Sequence, residues 1–375
     1  MAEAPAADLR TGPERAGVAT EPKVPRPIDE LRRDAYTTDA ALEAFESLLL
    51  IASRAPATAA IDGHPLVLTQ AAKALVGLRP ERPSPALMAF AVGRCAAVAA
   101  GPRDHGALKV GPEDLGLTVS VHGLEEAVLA GDRTAALKQL GRLLMVSDNK
   151  ELIFDVLLQL AARLPQYAAA AVSLVHYAQR AADFVGPVNR ADFLLPALEA
   201  VMLLPHDTVA QPAPPNAPLS PWGVLTGLEN AGLGAVVLAA HTAQISADEH
   251  VRQAAIQHSL GRALAALVPP GDERDASPET TVPATGTAAS GVDSLLGAAL
   301  DGRMDVAGAL GRQFGSTGER TWLLELLERV DTVCLTPQLI IWADAFRMLY
   351  RTAPEEHYPR LGSLAGLHLV KVLAE

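Results

Sequence analysis

The chain has 375 residues, 49% of them hydrophobic, 20% charged and only 4% aromatic, so it can bury a sizeable core and does not read as a disordered polymer. The net charge of −12, with basic residues scattered singly and no basic stripe, argues against nucleic acid as a partner. Charged residues, His or Pro interrupt every apolar run short of the roughly 20 residues a bilayer span needs, so no membrane partner is expected either. Ala and Leu far outweigh β-branched and aromatic residues, and these lose least on entering a helix, which predicts an all-α, multi-helix bundle.

Residues 1–35 are dominated by Pro, Gly and charge without an apolar period and are expected to form a disordered arm. The arm has no apolar h-region, so it does not read as a signal peptide. Cys95 and Cys334 stand far apart and form no CxxC pair, and a cytoplasmic location follows by default. Residues 36–205 form a first helical unit, broken near 100–114 by a Pro- and Gly-bearing stretch. A Pro-rich linker (206–221), a helical segment (222–268) and a flexible linker (269–291) follow. Residues 292–375 form a second helical unit packed with the rest. Capping boxes at Asp148/Glu151 and Ser246/Glu249 mark expected helix starts.

The two units share a pattern. "EEAVLAGDRTAALKQLGRLL" (125–144) aligns with "GAALDGRMDVAGALGRQF" (297–314), each followed by an acidic Leu-rich segment. "LVHYAQRAADF" (174–184) then aligns with "LIIWADAFRML" (339–349), placing His176 opposite Ile341 and Tyr177 opposite Trp342. One long unit seen twice points to a pseudo-symmetric bundle rather than a short-repeat solenoid.

Five histidines, His64, His122, His176, His241 and His368, stand beside small or apolar residues within or at the start of helical blocks, an awkward setting for a group that needs hydrogen-bond partners. Convergence of these side chains in the bundle interior would make a site for iron or another transition metal, with His64 and His176 as the catalytic candidates. Satisfaction of each ring by a backbone carbonyl or a helix end would make them structural. Local spacing supplies neither HExxH nor ExxH, and His250 and His258, eight residues apart, sit about 80° apart around a helix. His176 with His206-Asp207 has the outline of an HD-type phosphohydrolase motif, for which Asp248 is the nearest completing carboxylate. Phosphate loops and nucleophile elbows are missing from the sequence, both cysteines lie in apolar settings that disfavour the thiolate, and Trp322, Trp342 and Phe154 fall at packing positions.

In "GHPLVLTQAAKAL", Gly63-His64 is followed by Thr69, Gln70 and an Ala-rich helix, an arrangement that resembles a segment in the all-helical part of bacterial Rieske-domain-linked and questin-oxidase-like proteins. "LVHYAQRAADF" with "FLLPALEAVMLLP" is similar to the family's Leu-His helix and the helix after it, with His176 in the His position. The resemblance covers about a third of the chain. It implies a histidine-lined, redox-associated helical protein with a redox partner. The family's aromatic residues near these histidines are largely replaced here by Ala, Leu or Gln, and no Cys-His pairs exist to hold a Rieske cluster. The other expectation is a non-catalytic helical interaction protein, for which an Ala/Leu-rich surface suits a homodimer.

Overall fold

Proline and glycine punctuate the Ala- and Leu-rich runs and decide where each helix begins and ends. The computed structural model describes residues 21–33, 37–57, 60, 63–98, 108, 110, 119–147, 151–164, 167–203, 221–247, 253–268, 288–330 and 335–374, and no strand occurs among them. The all-α architecture is therefore as the composition predicts. In chain order the helices are α1 (Ile28–Leu31), α2 (Thr38–Ala52), α3 (Pro65–Val76), α4 (Pro85–Ala96), α5 (Val121–Leu129), α6 (Arg133–Val146), α7 (Glu151–Ala161), α8 (Ala168–Val185) and α9 (Arg190–Met202). They continue as α10 (Leu225–Leu228), α11 (Leu233–Ser246), α12 (Gln253–Leu267), α13 (Ala288–Leu300), α14 (Met304–Gly315), α15 (Thr321–Arg329), α16 (Pro337–Thr352) and α17 (Tyr358–Ala374). Pro65, Pro85 and Pro337 each occupy a first turn, where the missing N–H costs nothing and the fixed φ favours entry.

Helices α3 and α11 both pack against α8 and α16, and these four make the centre. Helix α11 is apolar on all sides, and every residue from Ala235 to Ile245 is buried. One continuous hydrophobic core runs from Leu31 to Val372, so the two helical units and the intervening segment share an interior. Arg79, just past α3, pairs with Glu325 and Glu328 on α15 and ties the halves at the surface.

Two expectations shift. The arm is pinned before residue 35: the Lys23 N–H donates to Asn189 Oδ1 at 3.0 Å, the Asn189 amide returns a bond to the Lys23 carbonyl at 3.2 Å, and Leu31 is fully buried. Ser246 closes α11 instead of opening a helix, because the apolar run carries the helix through Ile245; Glu249 and Asp148 lie outside the described residues.

The order hairpin, helix, long helix, 3-10 turn, helix occurs twice, as α5–α9 and α13–α17. The hairpin turns match in detail. Gly131 and Gly302 adopt φ of 70° and 71°, and the next N–H in each case reaches back five residues, Asp132 to the Ala127 carbonyl and Arg303 to that of Ala298. Packing does not repeat. Helices α14 and α17 form the closest pair among the described residues, whereas α6 touches α9 through the Arg133–Glu199 ion pair.

That close approach is made by glycine. Helices α14 and α17 run antiparallel with Ala307 opposite Gly366 and Gly311 opposite Gly362, so that a Cβ on Gly311 would lie 2.2 Å from the Gly362 carbonyl oxygen. Backbone to backbone contact of this kind has no flexible atom that could yield. Gly311→Ala should therefore lower stability by about 1–3 kcal/mol in urea unfolding. Gly297→Ala on α13, where nothing lies within 4 Å, should raise it by about 0.5–1 kcal/mol.

Candidate functional site

The buried titratable groups concentrate where α8, α11 and α16 meet. Helix α8 supplies His176 and Tyr177, α11 supplies His241, and α16 supplies Asp344 and Arg347. Asp344 is fully buried, and burying a carboxylate is costly unless donors surround it. Two do so: the Tyr177 hydroxyl donates to Oδ2, and Arg347 Nε donates to Oδ1 at 2.5 Å. Arg347 thus sets a guanidinium directly against the carboxylate, a charge-assisted contact. Burial pushes the Tyr177 hydroxyl well above its usual range, with the Asp344 charge adding to the effect, so the phenol stays a donor.

Next to this triad, His176 Nδ1 and His241 Nδ1 lie 2.7 Å apart with the rings nearly perpendicular. Two neutral imidazoles can share such a contact only if one carries the Nδ1 proton and the other presents a lone pair. His241 also packs edge-on against Tyr177, with ring centroids 4.8 Å apart. Burial, followed by the charges of Arg180 and Arg347, lowers the His241 pKa to about 3, so this ring stays neutral across the physiological range. Its Nε2 is sealed from solvent and has no hydrogen-bond partner among the described residues.

The five histidines do not gather around one point. His64 caps α3: its Nδ1 accepts from the Leu66 N–H at 3.1 Å and its Nε2 donates to the Ala55 carbonyl at 3.2 Å, so both ring nitrogens are used by backbone. His368 donates from Nε2 to the Leu228 carbonyl at 2.8 Å, and burial lowers its pKa to about 4. His122 is exposed on α5 beside Glu125 and Glu126. Only His176 and His241 are in contact, and among the described residues no group of three or more His, Cys, Asp or Glu is placed to hold a metal. The physical reason lies in the helix ends: His64 and His368 are spent on backbone groups that a helix terminus or a turn leaves open. His206, Asp207 and Asp248 fall outside the described residues.

Cys95 is buried in an apolar setting that drives its thiol up to about 12, and Trp322, Trp342 and Phe154 are core residues, all as their sequence positions suggest. The sequence reading passed over Asp344, Arg347 and Tyr177. A signal was present in "LIIWADAFRML", where a carboxylate sits on the apolar stripe of a helix with an arginine three residues on, a spacing that lets the two pair. No protein-family model, curated protein or solved structure matches the chain.

The geometry fixes two outcomes. Asp344→Ala leaves the Arg347 charge buried without its carboxylate and should cost about 3–5 kcal/mol, against about 1–3 for Tyr177→Phe, which removes one donor; chemical unfolding of the two variants measures the difference. His241 and His368 have folded pKa values near 3 and 4, below the unfolded value of 6.5. Their contribution is complete above pH 6.5 and is lost as pH falls, because only the unfolded chain takes up the protons. The urea midpoint should drop between pH 6.5 and 4, by up to about 1.4 kcal/mol per pH unit for each ring, and His241→Phe should flatten that slope.

Proposed function

We propose that this protein is a non-catalytic helical interaction protein whose buried histidines serve the fold. The way the rings are used carries this reading: His64 and His368 bond backbone carbonyls, and His176 and His241 bond each other. Apolar side chains left outside suit partner contact, notably Leu300, 66% exposed at the tip of the α13–α14 hairpin, with Met304 beside it. No helix among the described residues is long and apolar enough to cross a membrane. A cytoplasmic setting and self-association belong to the same proposal.

A second reading, an oxidoreductase-like or redox-accessory protein centred on His176, draws on one observation: the His176–His241 contact sits in a sealed interior with His241 Nε2 unpaired. A buried polar atom without a partner is uncommon and marks a place where function can reside. It keeps the family resemblance of the Gly63-His64 and Leu-His segments as a proposal.

Elemental analysis of the purified protein separates the two. Interaction without chemistry predicts less than about a tenth of an equivalent of iron, copper, zinc or manganese. It also predicts that His64→Ala costs about 1 kcal/mol or more through loss of the cap and of the bond to Ala55. Stoichiometric metal that disappears in His176→Ala would establish the redox reading instead.

A further inference from the structure

An open cleft of about 550 Å³ lies where the start of α4 meets α15, walled by residues 82–86 and Ala89 of the first unit and by Glu328 of the second. Ser84 is the N-cap of α4, a helix of 12 residues, yet its side chain makes no cap, so the first-turn N–H groups are left to other acceptors. The residue is 1% exposed, and its hydroxyl has no hydrogen-bond partner among the described residues. A buried hydroxyl left unmet is costly, and a ligand able to bond it would remove that cost.

The two charged residues of the cleft have opposite signs and do not pair with each other. Arg82 is exposed and forms no ion pair with any described residue. Glu328 turns to Arg79 at 3.7 Å, and Arg79 also engages Glu325. The helix ends deepen this division, since α4 presents its positive start on the side of Arg82, whereas Glu328 belongs to the last turn of α15, where the backbone is negative. A simple anion would be repelled by Glu328, and a simple cation by Arg82 and the start of α4. A molecule that carries both charges matches both poles, and Pro83, Pro85, Ala86 and Ala89 offer its body apolar contact.

We propose that this cleft binds a small apolar α-amino acid. Its carboxylate meets the Arg82 guanidinium, the Ser84 hydroxyl and the first turn of α4, and its ammonium meets Glu328. A guanidinium fork matches the two carboxylate oxygens, and N–H groups at a helix start favour the same charge. The ligand would bridge the two helical units beside the Arg79 ion pairs that already join them. The inference goes beyond the interaction reading and uses none of the histidines on which that reading stands.

The test is calorimetric titration of the full chain with leucine, valine and alanine, and with two leucine analogues that each lack one charge, leucinamide and 4-methylpentanoate. Saturable one-to-one binding of at least one amino acid is expected, with a rise in Tm on its addition. Each analogue should bind at least tenfold more weakly than leucine. Arg82→Ala and Glu328→Gln should each weaken binding at least tenfold while circular dichroism stays native. Ser84→Ala should weaken it too without lowering the Tm of the unliganded protein, because its hydroxyl has no bond there to lose. Arg303→Ala, on the α13–α14 hairpin, should leave affinity unchanged. Binding of 4-methylpentanoate as tight as that of leucine would show a plain anion site, and equal binding of leucinamide a plain cation site; either overturns the proposal. So would failure of all three amino acids to bind, or affinity unaltered by any of the three cleft substitutions.

Discussion

Asp344 is the residue around which the centre of this protein is arranged. A carboxylate with no exposed surface must be met by donors from its surroundings, and the two it has come from its own helix and from α8. That requirement sets the register of α8 against α16: sliding either helix by a turn would strand the Asp344 charge and the Tyr177 hydroxyl together. Apolar packing alone would not be so selective, since Ala- and Leu-rich faces accept many registers. The His176–His241 contact then brings α11 to the same level from the side. Three helices are keyed to one another by polar groups inside a largely apolar core.

A second constraint operates at the far end of the second unit, and it is steric. Gly311, Gly362 and Gly366 let α14 and α17 approach until backbone touches backbone, which brings Cα–H groups and carbonyls together and removes almost all side-chain volume from the seam. The same helices carry long side chains elsewhere. Lys371 and His368, on α17, reach three carbonyls of the turn after α10 and fix it to the bundle. The corresponding first unit lacks the glycine seam, which is why matching element order and matching hairpin turns coexist with different packing.

Histidine use illustrates how far residue type is from role. His64 and His368 look, in sequence, like buried ligands, and in space each closes a backbone valence that a helix start or a turn leaves open. His122 reads as part of an apolar block, yet lies on the outer face of α5 beside two glutamates, because the apolar neighbours belong to the opposite side of the helix. The one pair that meets, His176 with His241, is separated by 65 residues, and no local spacing announces it.

Composition by itself determined the all-α class and the burial of Trp322, Trp342, Phe154 and Cys95, because these depend on propensity and on the cost of wetting apolar groups. Even the odd placement of Asp344 and Arg347 was visible as an i, i+3 pair on an apolar stripe. Only the tertiary structure decided which imidazole faces which and that the Tyr177 hydroxyl answers Asp344. Those are contacts between elements far apart in the chain. Their geometry follows from how four central helices fill a common interior, a property that no single segment carries.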